Sequence, residues 1–171
     1  MTVGAFLATF CYDECMKVGI DIGGTLRNTR PSTDDVAEFL TGPPNIGALD
    51  AASWIISKVN RDNVYIICRC SKESEVAVET WLEVYGFINA GLKRENVYFC
   101  RQWSEKTHLA KRLGLDVFID DVIDVLDPMQ GIVTHRILFS EDGALDQPTD
   151  ETIMKLNGWQ EVKQYLTSRV L

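Results

Sequence analysis

Two acidic stretches and one lysine are the residues whose types and spacing could do chemistry. The first is Asp21, in Gly19-Ile20-Asp21-Ile22-Gly23-Gly24-Thr25-Leu26, where a carboxylate follows an apolar run and precedes two glycines. Glycines lack the Cβ that would keep backbone N–H groups away from an anion, so the Gly23-Gly24 turn can approach a phosphate, with Gly24 and the following Thr25 as candidate binders. The second stretch is Phe118-Ile119-Asp120-Asp121, with Asp124 three residues on. Crowded carboxylates repel one another unless a cation lies between them, and an all-oxygen donor set suits Mg²⁺. Lys106, in Trp103-Ser104-Glu105-Lys106, offers a point charge able to offset both the acids and a phosphate. Each residue also has a plainer reading. Asp21 can cap a turn, Lys106 can be a solvated first-turn lysine, and Asp124 reads as an exposed helix residue rather than a metal ligand.

Those side chains need a frame that brings them together. Residues 18–22, 64–70, 97–100, 117–119 and 137–139 are short, apolar and rich in Val, Ile and aromatics, which predicts five strands. Between them, Ser32 with Asp35 three residues later forms a capping box that opens a helix over 36–40. Helical periodicity then runs over 46–59, 72–85, 105–113 and 152–166. Strands alternating with helices predict an α/β fold: a three-layer, doubly wound, mostly parallel, Rossmann-like sheet. In such sheets ligands sit beyond the carboxyl ends of the strands, where Asp21, Asp120 and Asp121 fall. Cys68 and Ser71 end the second apolar run and are the other candidate substrate contacts. Their plainer readings are a buried small residue for Cys68 and a helix N-cap for Ser71.

The whole chain is consistent with one domain over 1–171, since 171 residues at roughly 150 per domain leave room for one. A net charge of -8 argues against general nucleic-acid or anionic-membrane binding, which needs clustered Lys and Arg. No run approaches the roughly 18 apolar residues of a membrane span. Five cysteines without paired CxxC spacing fit reduced thiols in a cytoplasm better than a zinc ribbon. Met16-Lys17 has the form of a start in its own right, so residues 1–16 read as a possible N-terminal extension. Oligomeric state is not legible.

Taken in order, Asp21 to Leu26, then Val64 to Ser71, then Glu105 to Asp121 resemble the haloacid dehalogenase-like hydrolases. Asp21 to Leu26 differs by one letter from that superfamily's DxDGTL signature, and the resemblance runs from about Lys17 to Phe139. It implies a magnesium-dependent phosphatase in which Asp21 is the nucleophile that becomes an aspartyl-phosphate. Asp21, the Gly23 carbonyl, Asp121 and Asp120 would hold Mg²⁺, and Lys106 would take the family's lysine role. It also implies a phosphorylated substrate and a minimal or absent cap. Two positions depart from the pattern. Gly23 stands where the family has the general acid, and it cannot transfer a proton. Cys68 stands where the family has Ser or Thr, and a thiol is a poorer donor to phosphate. The first departure implies a slow enzyme or a non-catalytic relative that binds phosphate, magnesium or a partner. Gly19 to Thr25 also resembles the phosphate loop of actin-like sugar kinases, but those need an immediate hairpin and a second domain, and they leave Lys106, Asp120 and Asp121 unexplained.

Overall fold

A computed structural model describes residues 16–29, 40–143, 148 and 150–171. Residues 1–15 and most of the helix expected over 36–40, with its capping box, lie outside the described set. Among the described residues the strands are β1 (Val18–Ile20), β2 (Val64–Arg69), β3 (Val97–Cys100), β4 (Val117–Asp120), β5 (His135–Ser140) and β6 (Ile153–Asn157). The helices are α1 (Ala48–Val59), α2 (Glu75–Val84), α3 (Trp103–Leu113), α4 (Ile123–Leu126) and α5 (Gly158–Arg169).

The strands form one six-stranded sheet in the order β3-β2-β1-β4-β5-β6, and every neighbouring pair is parallel. Both faces are covered, as all-parallel sheets require. On one side α1, α2 and α5 contribute Ile55, Trp81 and Trp159 to a core that includes Ile20, Ile66, Ile119 and Phe139. On the other side α3 and α4 contribute Ala110 and Leu126 to a core with Ile67, Phe118 and Leu138. The arrangement is a three-layer, doubly wound α/β fold of Rossmann-like order.

Local sequence explains most element bounds. In β2, five of the six residues are buried, which suits its Val, Tyr and Ile content in a strand covered on both faces. Helix α1 begins after Gly47, whose φ of 77° suits a residue without Cβ. Its buried stripe of Ala48, Ala51, Ala52, Ile55 and Val59 follows the helical period. Helix α3 ends on Gly114, at φ 66°, whose N–H closes the last turn onto the Ala110 and Lys111 carbonyls.

One expectation is corrected. The helix read over 152–166 is a strand followed by a helix: β6 occupies Ile153–Asn157, and α5 starts only at Gly158, where φ is 73°. The left-handed glycine breaks what periodicity alone had joined. No helix among the described residues is long and apolar enough to cross a membrane.

Candidate functional site

The order of strands reverses between β1 and β4, and in doubly wound sheets the crevice at such a switch point is where ligands bind. Asp21 follows β1 and Asp120 ends β4, so the fold carries the two acidic stretches to one rim. The ladder reaches one residue past β1, since the Asp21 amide donates to the Ile119 carbonyl at 2.9 Å. Asp21, Asp120 and Asp121 are all buried, and one carboxylate oxygen of each lies within 4.8 Å of the others.

Lys106 holds this cluster together. It comes from the first turns of α3, on the same helix face as the buried Ala110, and is itself only 2% exposed. Its Nζ donates to Asp21 Oδ1 at 2.6 Å and to Asp120 Oδ2 at 2.7 Å. Burial disfavours the ammonium, but the Asp120 and Asp21 carboxylates more than offset that penalty and push the lysine pKa up. Burial likewise pushes Asp120 up, to about 7, with Asp21 and Asp121 reinforcing the rise and Lys106 opposing it. Three acids against one ammonium leave the cluster negative, the condition under which a divalent cation is held.

The carboxylates divide the work. Asp120 Oδ2 accepts from Lys106, and its Oδ1 accepts from the Val122 amide at 2.9 Å. Both oxygens of Asp120 therefore have protein partners, and the residue sets the position of Lys106. Asp121 packs against the bare Cα of Gly24: a Cβ there would lie 1.8 Å from Asp121 Oδ2, and Gly24 sits at φ +85°. Only glycine fits this approach, and it leaves room for the Asp121 carboxylate beside Asp21. The donor set, all oxygen and hard, fits Mg²⁺.

The loop after β1 is held from elsewhere in the chain. The Gly24 amide donates to the Arg27 carbonyl at 2.9 Å and the Thr25 amide to the Ile22 carbonyl at 3.2 Å. The Thr25 side chain is fully buried, and its hydroxyl has no hydrogen-bond partner among the described residues. Gly24 and Thr25 thus shape the loop from within, with their N–H groups turned into the turn itself. Asn45, a residue with no sequence signal, donates from Nδ2 to the Thr25 carbonyl at 2.7 Å and the Gly24 carbonyl at 3.3 Å. Trp159 donates to the same Thr25 carbonyl at 3.2 Å from the far end of the chain.

The remaining candidates lie on the β2 side. Cys68 is buried, and its thiol pKa is pushed well up, first by a hydrogen bond with Cys70 and then by burial, so it is a neutral thiol near Asp21 and Lys106. Ser71 Oγ pairs with Ser74 Oγ at 3.1 Å, and Ser74 is the cap residue of α2, so Ser71 belongs to the helix start. Asp124 is exposed and stands outside the acidic cluster. His108 is exposed on α3 with Nδ1 3.1 Å from the Ser104 carbonyl.

No family model matches the chain, and no curated protein matches it. Among solved structures it is similar to the solution NMR structure of a de novo designed Rossmann 3x3 fold protein. That match has a TM-score of 0.44 and 14% identity, and covers 91% of this chain and 96% of the designed one.

Proposed function

We propose that the rim shared by β1 and β4 is a magnesium-dependent phosphohydrolase centre resembling that of the haloacid dehalogenase-like hydrolases. It works slowly, through a phospho-aspartate on Asp21, on a phosphorylated substrate in the cytoplasm. The observation that carries this reading is Lys106 Nζ bridging Asp21 Oδ1 at 2.6 Å and Asp120 Oδ2 at 2.7 Å beside a third carboxylate, Asp121.

Asp21 attacks phosphorus with the carboxylate oxygen that Lys106 does not hold. The ester P–O bond breaks, and its electron pair leaves with the substrate oxygen, which takes a proton from solvent because Gly23 has no side chain to give one. Lys106 holds the nucleophile in one orientation and offsets charge on the transferring group, a preorganised effect that needs no rearrangement during reaction. Asp120 fixes Lys106. Water then attacks the phosphorus of the phospho-aspartate, releasing inorganic phosphate and restoring the Asp21 carboxylate. When bound, Mg²⁺ neutralises phosphate charge and orients the group. Asp21, Asp121 and the Gly23 carbonyl would hold it, with Asp120 the third acid of the cluster, also bonded to Lys106 and the Val122 amide.

Loss of positioned acid–base help typically costs about 10² to 10⁴ in rate, so turnover is fastest where the leaving group needs no proton. The test is phosphate release from 4-nitrophenyl phosphate, with and without Mg²⁺, by the native chain and by Asp21→Asn. Magnesium-dependent release that vanishes in the variant is expected. Equal traces for the two proteins would sink the catalytic reading and favour the alternative that Gly23 suggests, a relative that binds phosphate and magnesium without turning substrate over.

A further inference from the structure

Arg69 closes β2 and is exposed, and its guanidinium approaches α3, the helix that carries Lys106. Ile20 pairs with Ile66, so Asp21 is level with Ile67, and Arg69 stands two residues further out, roughly 7 Å along the strand direction. Trp103, one helical turn before Lys106 on α3, is 39% exposed, and the Arg69 guanidinium carbon lies 5.7 Å from its ring centroid. The neighbouring cations share one acid, Glu75. Lys72 pairs with Glu75 at 2.6 Å, and Arg101 pairs with Glu75 and donates to the Cys70 carbonyl at 2.9 Å. Arg69 has no carboxylate partner among the described residues. The chain has 25 acidic residues against 17 Lys and Arg, and the rim itself carries three carboxylates. Exposed cations without a carboxylate partner among the described residues also occur elsewhere, at Arg61, Lys111 and Arg112; Arg69 differs from them in standing at the rim, beyond the β2 residue level with Asp21.

A guanidinium lying on an aromatic ring keeps its N–H groups in its own plane, directed away from the ring, where they can grip a carboxylate or phosphate by two parallel hydrogen bonds. Building on the phosphohydrolase reading, we propose that the substrate carries a second anionic group on its leaving-group side, and that Arg69, seated on Trp103, binds it. A spacing of roughly 7 Å from the level of Asp21 suits a leaving group about one aromatic ring or a short carbon chain in length. The substrate class is thus a small phosphate monoester with a distal carboxylate or phosphate. The Arg69–Trp103 pair sorts it from neutral-tailed monoesters.

The test reads binding without turnover. The native chain, Arg69→Gln and Lys72→Gln are titrated calorimetrically, in magnesium buffer, with 4-(phosphonomethyl)benzoate and with its methyl ester, which matches its size but lacks the second charge. The native chain is expected to bind the carboxylate about tenfold more tightly than the ester. Arg69→Gln should bring that ratio to within about twofold, while Lys72→Gln, which removes the same charge from an ion-paired exposed site, keeps it. Trp103→Leu should reduce the ratio part of the way, since it removes only the platform. Equal affinity of the native chain for the two ligands, or a ratio that survives in Arg69→Gln, overturns the proposal. A tenfold ratio in the native chain that Arg69→Gln abolishes, together with no phosphate release from 4-nitrophenyl phosphate, overturns catalysis and leaves the anion subsite standing. Failure of both ligands to bind overturns both.

Discussion

Gly23 is the residue on which the rate turns. Its neighbour Gly24 needs a left-handed backbone, at φ +85°, and touches Asp121, whereas Gly23 is not among the positive-φ glycines, so its backbone does not itself oppose a side chain. On the proposed mechanism, Gly23→Asp supplies a carboxyl group two residues after the nucleophile, at the position of the missing general acid. A poor leaving group gains most from that proton. The variant should therefore raise kcat/KM on an alkyl phosphate by about 10²-fold, and on 4-nitrophenyl phosphate by less than about fivefold. Comparable gains on the two substrates would show that the missing acid is not at this position. Residue types and their order made Asp21, Lys106, Asp120 and Asp121 legible, because carboxylates that follow apolar runs in an alternating α/β chain must meet at one edge of a parallel sheet. Asn45 and Trp159 were not legible. They act on backbone carbonyls 20 and 134 residues away, and nothing in a carbonyl's own sequence marks it as an acceptor for a distant side chain. The proposed role of Arg69 was not legible for a similar reason: it depends on Trp103, on another element.

Strands and helices were read well where hydrophobic period and turn residues agreed, and poorly where one masked the other. The α5 stripe of Trp159, Val162 and Leu166 is a true helical pattern, and reading it backwards through Ile153 and Leu156 absorbed β6. The Asn157-Gly158 pair was the break that periodicity overrode. An ion pair secures the entry to that strand. Buried Arg136 of β5 donates to Asp150 Oδ2 at 2.7 Å, and Asp150 Oδ1 accepts from the Thr152 amide at 2.9 Å and the Thr152 hydroxyl at 2.6 Å. These bonds, those from Thr152 first, pull the Asp150 pKa down to about 2. A carboxylate with a depressed folded-state pKa stabilises the fold above its unfolded value of about 3.9, and that contribution is lost as pH falls from there toward 2. The melting temperature of the native chain, followed by circular dichroism, should accordingly drop more steeply between pH 4 and 2 than that of Asp150→Asn. Above pH 5 the two curves should run parallel, with the variant lower. Parallel curves through the acid range would mean that Asp150 is not what anchors β6.

At the scale of the molecule, the charge balance and the fold make one demand together. The chain carries a net -8, and the sheet concentrates three of its carboxylates at a buried rim with one ammonium among them. Like charges held that close cost stability in the folded state and much less in the unfolded chain, where Asp21 is far from Asp120 and Asp121 and all three are well solvated. A divalent cation that occupies the rim binds only the folded form, so it shifts the unfolding equilibrium by mass action. At ten times its dissociation constant, Mg²⁺ should add about 1.4 kcal/mol, which for a domain of this size is a rise of roughly 3–6 °C in melting temperature. General screening of a -8 surface would also raise the melting temperature, so the comparison is with NaCl at matched ionic strength, which should give a much smaller rise. Asp121→Asn removes the carboxylate that packs on Gly24 without touching the Lys106 contacts. It should raise the baseline melting temperature slightly, by relieving repulsion, and abolish the specific magnesium increment. A magnesium increment no greater than that from sodium, or one that persists in Asp121→Asn, would mean that the acids are brought together for Lys106 alone and that the rim holds no cation.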